Sequence, residues 1–295
     1  MTTTQSLEDA EGDILDAMAE FYDDPLGHVL YSYPWGTGPL VGRDGPDQWQ
    51  REFLTELGEE VKKRKFNGVD AVAPIQFSTA SGHGIGKSCL SSWIIRWIAD
   101  TRPHSVGTVT SNTATQLRSK LFAELAKWHN MGLTKHWYQL NAGSGGSLNM
   151  YHVDHPKTWR VDGQTCQEHN SEAFAGQHRA ESTSYFLFDE ASEVPSNIFL
   201  VRAGGLTDGE PMTFDFGNPT RNTGMFHANM VGKYRNRYNK RFIDSRTVEI
   251  TNKEYLQTMI DDFGIDSDMV KVRVLGQFPS ASTHQFISTD DVDVA

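Results

Sequence analysis

Ser81-Gly82-His83-Gly84-Ile85-Gly86-Lys87-Ser88 stands where one apolar run hands over to another of different period, and its reading decides the fold. The run before it, Ala71 to Ala80 (AVAPIQFSTA), reads as a buried strand despite Pro74. After it, Leu90, Trp93, Ile94, Trp97 and Ile98 recur at helical spacing, as the core face of a helix. A glycine-rich turn between a strand and a helix aims successive backbone N–H groups and the positive helix end at one point, which makes an anion site. Gly82, Gly84 and Gly86 let the backbone approach phosphates closely and adopt positive φ. The general pattern is G-x-x-x-x-G-K-[ST]; Ser81 replaces its first glycine, while Gly86-Lys87-Ser88 matches it. Ser81 to Ser88 are therefore expected to contact a nucleotide, with Lys87 on the β- and γ-phosphates and the Ser88 hydroxyl on Mg²⁺.

Outward from this junction the alternation continues. Ser105 to Ser111 reads as a strand and Thr113 to His129 as an amphipathic helix, with Ser111 to Gln116 read as its N-cap or, alternatively, as a contact to nucleotide or DNA. Short strand-like pieces lie between Trp137 and Gln164, around a turn holding Gly143, Gly145 and Gly146. Tyr185 to Phe188 and Pro211 to Phe216 read as central strands. Upstream, residues 1–30 carry helical spacing, Tyr33 to Pro46 is rich in Gly and Pro, and Asp47 is a plausible N-cap for a helix through Trp49, Phe53, Leu54 and Leu57. Strands alternating with helices predict a mostly parallel sheet covered on both faces.

The strand Tyr185-Phe186-Leu187-Phe188 ends in Asp189-Glu190. Ligands of open α/β sheets bind at the carboxyl ends of strands. An acid pair there, beside a phosphate loop, suits Asp189 as the metal partner and Glu190 as the base that activates water. The guanine-reading pattern N-K-x-D has only a near miss, Asn252-Lys253-Glu254-Tyr255, so guanine specificity is not expected.

At 295 residues, with 38% hydrophobic and 22% charged residues, the chain has the composition of an ordinary globular protein. No apolar run approaches the roughly 18 to 20 residues of a membrane span. The polar start, Met1 to Asp13, does not suggest secretion, and two cysteines fit a reducing compartment better than a disulfide framework. A net charge of −11 argues against coating nucleic acid over the whole surface but leaves room for a local basic track. Two clusters qualify, each also readable as ordinary solvated surface: Lys62-Lys63-Arg64-Lys65, and Lys233, Arg235, Arg237, Lys240, Arg241 and Arg246 with Tyr234 and Tyr238 interleaved. His152, His155, His169 and His178 lack metal-ligand spacing.

These motifs in this order resemble the ATPase domain of the large terminase subunit of tailed bacteriophages. Asp47-Gln48-Trp49-Gln50 resembles the adenine-contacting glutamine motif, which would put Gln50 on the base. SGHGIGKS resembles the variant phosphate loop of that family, and YFLFDEAS its acidic motif. Phe216-Gly217-Asn218-Pro219-Thr220 resembles the coupling motif, in which Asn218 or Thr220 would sense the γ-phosphate; Val272 to Phe278 resembles the stretch that closes the ATPase half. The resemblance implies ATP and Mg²⁺ as cofactors and double-stranded DNA, a portal and a small terminase subunit as partners. It also implies a homo-oligomeric ring, no membrane, and action in the host cytoplasm at the procapsid portal. His83 stands where the family commonly carries an arginine in the loop, so Arg118, Arg179, Arg202 and Arg221 become candidates for the charge-stabilising arginine.

The expectation is an α/β P-loop NTPase of the ASCE type, its mostly parallel sheet flanked by helices, with a small helical lid subdomain. Residues 1–65 would form an N-terminal helical region with the adenine motif, 66–224 the ATPase core, 225–280 a lid, and 281–295 a linker with no nuclease domain following. The expected activity is Mg-dependent ATP hydrolysis driving DNA into a procapsid. A helicase-like DNA-translocating ATPase, or a nucleotide-binding assembly protein with little turnover, is the alternative.

Overall fold

The computed structural model of the chain describes residues 2–143, 146–166 and 178–280. Gly145, His169, residues 176–177 and the expected linker 281–295 lie outside them. One eight-stranded sheet organises the molecule, in the order β3-β4-β5-β2-β6-β7-β1-β8. Its strands are β1 (Ile75–Ser81), β2 (Val106–Ser111), β3 (Tyr138–Asn141), β4 (Leu148–His152), β5 (Arg160–Thr165), β6 (Thr183–Asp189), β7 (Glu210–Gly217) and β8 (Asn239–Ile243). From β5 to β8 every neighbouring pair is parallel, and β3 and β4 extend one edge antiparallel. β6 and β7 are buried at every position, as strands covered on both faces must be.

Helices cover both faces: α1 (Thr2–Glu20), α2 (Pro25–Ser32), α3 (Gln48–Arg64), α4 (Lys87–Thr101), α5 (Ala114–Gln116), α6 (Ala123–Met131), α7 (Ser196–Arg202), α8 (Gly224–Met230), α9 (Lys253–Phe263) and α10 (Asp268–Val270). α2, α3, α4 and α6 share one core through Val29, Phe53, Leu57, Trp93, Ile94, Trp97 and Trp128; the expected core role of Trp93 and Trp97 is thus observed. α7 and α8 close the other face through Ile198, Phe199, Phe226 and Met230 against Phe186 and Phe188. Two charges buried in β7 each have a partner: Glu210 pairs with Arg102 at 2.7 Å, and Asp215 with Arg202. Removing either partner would leave an uncompensated buried charge.

The strand expected over 71–80 begins only at Ile75, because Pro74 has no N–H to give a ladder. Between α5 and α6 the helix expected over 113–129 carries a π-helical turn, Leu117–Phe122. Thr113 caps α5, its side chain accepting from the Gln116 N–H. Segment 225–280 does two things. β8 joins the sheet edge beside β1, whereas Leu256, Met259, Val270 and Val274 form a small core of their own. Among the described residues no helix is long and apolar enough to cross a membrane, and no group of His, Cys, Asp and Glu is arranged to hold a metal ion.

Candidate nucleotide site

β1, β7 and β6 run parallel, so their carboxyl ends share one edge of the sheet. Ser81 ends β1 and Asp189 ends β6, with β7 between them rather than the two tips being adjacent. That insertion places Asn218, just past the end of β7, between the phosphate loop and the acid pair. The Asn218 amide donates to the Ser81 carbonyl at 2.6 Å, and its Oδ1 accepts from Lys87 Nζ at 3.4 Å. Lys87 Nζ also donates to Ser81 Oγ at 3.0 Å. Two strand ends and the start of α4 are thus tied together by one ammonium group and one amide.

Within the loop, Gly84 (φ 75°) and Gly86 (φ 84°) adopt the left-handed conformation that glycine tolerates at no steric cost. α4 starts at Lys87 with no side-chain cap at Gly86, which leaves its N-terminal N–H groups for an anion. The first half of the loop behaves differently. Gly82 N–H donates to the Ile243 carbonyl at 3.1 Å and His83 N–H to the Arg273 carbonyl at 2.8 Å. Those two donors are consumed by the protein, and Gly82, expected at positive φ with Gly84 and Gly86, does not adopt it. Bracing comes from α3 as well, where Trp49 Nε1 donates to the Ile85 carbonyl at 3.1 Å and Gln50 Nε2 to the Gly86 carbonyl at 3.2 Å.

Gln50 is the N3 residue of a capping box with Asp47, and its Oε1 accepts the Asp47 N–H at 3.0 Å. Both ends of its amide are engaged by backbone. It lines the cavity as a strut between α3 and the loop.

That cavity, about 580 Å³, is lined by every loop residue from His83 to Ser88 and by Asp189, Glu190, Asn218 and Gln50. Ser81 and Gly82, expected to contact the nucleotide, do not line it. Thr220 does not reach it: its hydroxyl donates to Glu193 at 3.0 Å, because the chain after Asn218 turns toward the segment following the acid pair. Asn218, and not Thr220, is the part of that motif that faces the cavity.

Burial first, and then the neighbouring Glu190 charge, push the Asp189 carboxyl up to about 6, although Lys87 and the Glu190 N–H pull the other way. Burial likewise lowers the Lys87 ammonium, with the Glu190 and Asp189 charges opposing it. A buried carboxylate still short of positive charge, on the same cavity as the Ser88 hydroxyl at a helix N-terminus, is a donor set that fits a divalent cation with oxygen ligands. Glu190 sits at φ 54°, a left-handed conformation that a residue with a Cβ adopts at a cost of roughly 1–2 kcal/mol. Its carboxylate faces Lys120 Nζ at 3.6 Å.

Lys120 and Arg43, both lining the cavity, were not legible as site residues. Lys120 belongs to the π-helical turn, a distortion that local spacing does not announce. Arg43 lies in the Gly/Pro-rich stretch 33–46, which reads only as a loop. Of the arginines proposed from sequence, Arg202 is buried against Asp215 and Arg221 pairs with Glu193. Arg118 and Arg179 donate to the carbonyls of Gly146 and His178, and neither lines the cavity. The basic clusters divide too. Lys63 and Arg64 pair with Glu60 at the end of α3, Arg241 with Glu52 and Glu56, and Arg246 with Asp244. Lys233 and Arg237 each lie 4.7 Å from the Tyr234 ring, and Arg235 and Lys240 are exposed.

No family model matches the chain. A probable terminase large subunit of Enterobacteria phage P7 is 24% identical over 274 residues, covering 90% of this chain and 53% of that protein. Among solved structures, the HK97 bacteriophage large terminase superposes with a TM-score of 0.60 at 9% identity, covering 87% of this chain and 55% of its own. The large terminase of a thermophilic bacteriophage, in complex with ATP-γ-S, gives 0.53 at 15% identity, covering 80% and 53%. The chain therefore has the α/β fold of the P-loop ATPases. More narrowly, what it resembles is the ATPase domain of phage large terminases, and it spans about half the length of the relatives it matches.

Proposed function

We propose that the chain is an ATP-hydrolysing motor of viral DNA packaging. The observation that carries this reading is the convergence of Lys87, Asn218 and the Asp189–Glu190 pair on one cavity capped by an open helix N-terminus. Lys87 and the N–H groups from Gly84 onward would hold the β- and γ-phosphates, and Gln50 would lie at the nucleoside side. Ser88 and Asp189 would hold Mg²⁺, which supplies charge neutralisation for the phosphoryl group. Glu190 orients a water for in-line attack on the γ-phosphorus and accepts its proton as the bond to the bridging oxygen breaks and ADP leaves. Catalysis of this kind is positioning and electrostatic stabilisation, which a rigid, braced loop favours.

Double-stranded DNA is the proposed track, with Lys233, Arg235, Arg237 and Lys240 as its phosphate contacts. A portal, a small terminase subunit and further copies of the chain in a ring are the proposed partners, at the procapsid in the host cytoplasm. Steady-state ATP hydrolysis and ATP binding, measured on wild type, Lys87→Ala and Glu190→Gln, test the core of this. Lys87→Ala is expected to lose binding, and Glu190→Gln to bind ATP while losing at least roughly 100-fold in kcat. Normal turnover by either variant contradicts the assignment.

A further inference from the structure

Among the described residues, one cation in the nucleotide cavity carries a charge that no other side chain uses. Of the lysines and arginines that line it, Lys87 is tied to Ser81 and Asn218, Lys120 faces Glu190, and Lys127 pairs with Glu124 at 3.0 Å. Arg43 has no side-chain hydrogen bond or ion pair among the described residues, and the residue is exposed. Its backbone, by contrast, is fixed at both ends. Arg43 N–H donates to the Leu40 carbonyl at 3.0 Å, and its carbonyl accepts from Gly36 N–H at 2.8 Å. Leu40 is buried, and Arg51 Nε holds the following turn through the Pro46 carbonyl at 2.8 Å. A pinned backbone carrying an uncommitted guanidinium into a cavity is preorganised for a ligand, since little backbone order is lost when it binds.

Position along the cavity indicates which end of the ligand it meets. Phosphate chemistry gathers at Lys87, Ser88, Asp189 and Asn218. Arg43 belongs to the loop that holds Trp35 and leads into Asp47 and Gln50 at the start of α3, its carbonyl bonded to the Gly36 N–H, and all four residues line the cavity. The Gln50 amide is engaged with Asp47 and Gly86, so it is not a free reader of the base. We propose that Arg43 is a binding residue for the nucleoside end of the nucleotide, its planar guanidinium lying against the base and donating to the base or ribose. Such a contact is tolerant of base identity, and a lysine cannot reproduce it because its ammonium is neither planar nor forked.

This inference rests on the nucleotide reading of the cavity, and the experiment separates the two. Binding of ATP, ADP and inorganic tripolyphosphate to the full chain is measured by calorimetry for wild type, Arg43→Ala, Arg43→Lys and Lys87→Ala. Arg43→Ala is expected to weaken ATP and ADP alike, by roughly tenfold, with tripolyphosphate unchanged, and Arg43→Lys to recover little of the loss. If Arg43→Ala binds ATP as wild type does, or loses tripolyphosphate to the same degree, the inference is overturned. Loss of ATP binding in Lys87→Ala alongside either result keeps the nucleotide reading standing. Wild type that binds none of the ligands overturns both.

Discussion

Asp189→Asn is expected to stabilise the nucleotide-free protein while destroying its activity, and the size of the effect follows from the site. Asp189 is 2% exposed, and its pKa is pushed to about 6 from an ordinary value of 3.8. Two units correspond to about 3 kcal/mol at most. The sign follows from proton binding: between about pH 4 and 6 the folded state holds a proton that the unfolded state has released. Stability therefore falls as pH rises through that window, and the full penalty applies above it. Asparagine carries no charge and can still accept the Glu190 N–H. Its advantage over wild type should grow from about 1.5 kcal/mol at pH 5 to about 3 kcal/mol at pH 8. For a chain of 295 residues the latter is roughly 5 °C in Tm. Thermal melts of both proteins across pH 5–8 without nucleotide read this directly, and Mg²⁺ with a non-hydrolysable ATP analogue should raise the wild-type Tm more than that of the variant. A stability difference that is flat across pH, or an Asp189→Asn protein less stable at pH 8, refutes the reasoning.

The remaining expectations concern residues around that carboxylate. Lys120→Met should leave stability within about 1 kcal/mol, its pair with Glu190 being partly exposed. Because the Lys120 charge lowers the Asp189 pKa in the nucleotide-free protein, the acid limb of the kcat/KM–pH profile should move to higher pH in the variant; an unmoved limb contradicts this. Gly82→Ala would put a Cβ 2.5 Å from the Val274 carbonyl and 2.8 Å from that of Arg273. A loss of about 1–3 kcal/mol, checked by urea denaturation, is expected together with weakened ATP binding. Glu210→Ala strands the buried Arg102 guanidinium and should cost about 3–5 kcal/mol in the same assay without altering which nucleotide is bound. Neutralising Lys233, Arg235, Arg237 and Lys240 together should weaken duplex DNA binding and flatten its salt dependence, and unchanged binding returns that surface to ordinary solvation.

Much of the site was legible because its chemistry is local. The strand, loop and helix around Lys87 and the acids closing β6 each lie within a few residues of a periodic segment. What was hidden depends on contacts across sequence. The spent N–H groups of Gly82 and His83 answer to carbonyls on Ile243 and Arg273, far along the chain in the segment that sequence marks only as a lid. The engagement of Thr220 by Glu193 and the strut role of Gln50 are equally tertiary. Lys120 reaches Glu190 through a π-helical turn, which shifts its face relative to regular helical spacing. Arg202 read as a candidate for charge stabilisation because sequence carries no sign of its burial against Asp215. The sheet itself was anticipated as mostly parallel, but β8 joining the edge beside β1 was not, since its charged residues Lys240 and Arg241 disguise a strand.

A structure with Mg²⁺ and a non-hydrolysable ATP analogue tests the central claim most directly. The account requires the γ-phosphate within hydrogen-bond reach of Lys87 and Asn218, the metal on the Ser88 hydroxyl beside Asp189, and a water between Glu190 and the γ-phosphorus. A nucleotide bound elsewhere, or one whose phosphates face away from the Asp189–Glu190 pair, would contradict it.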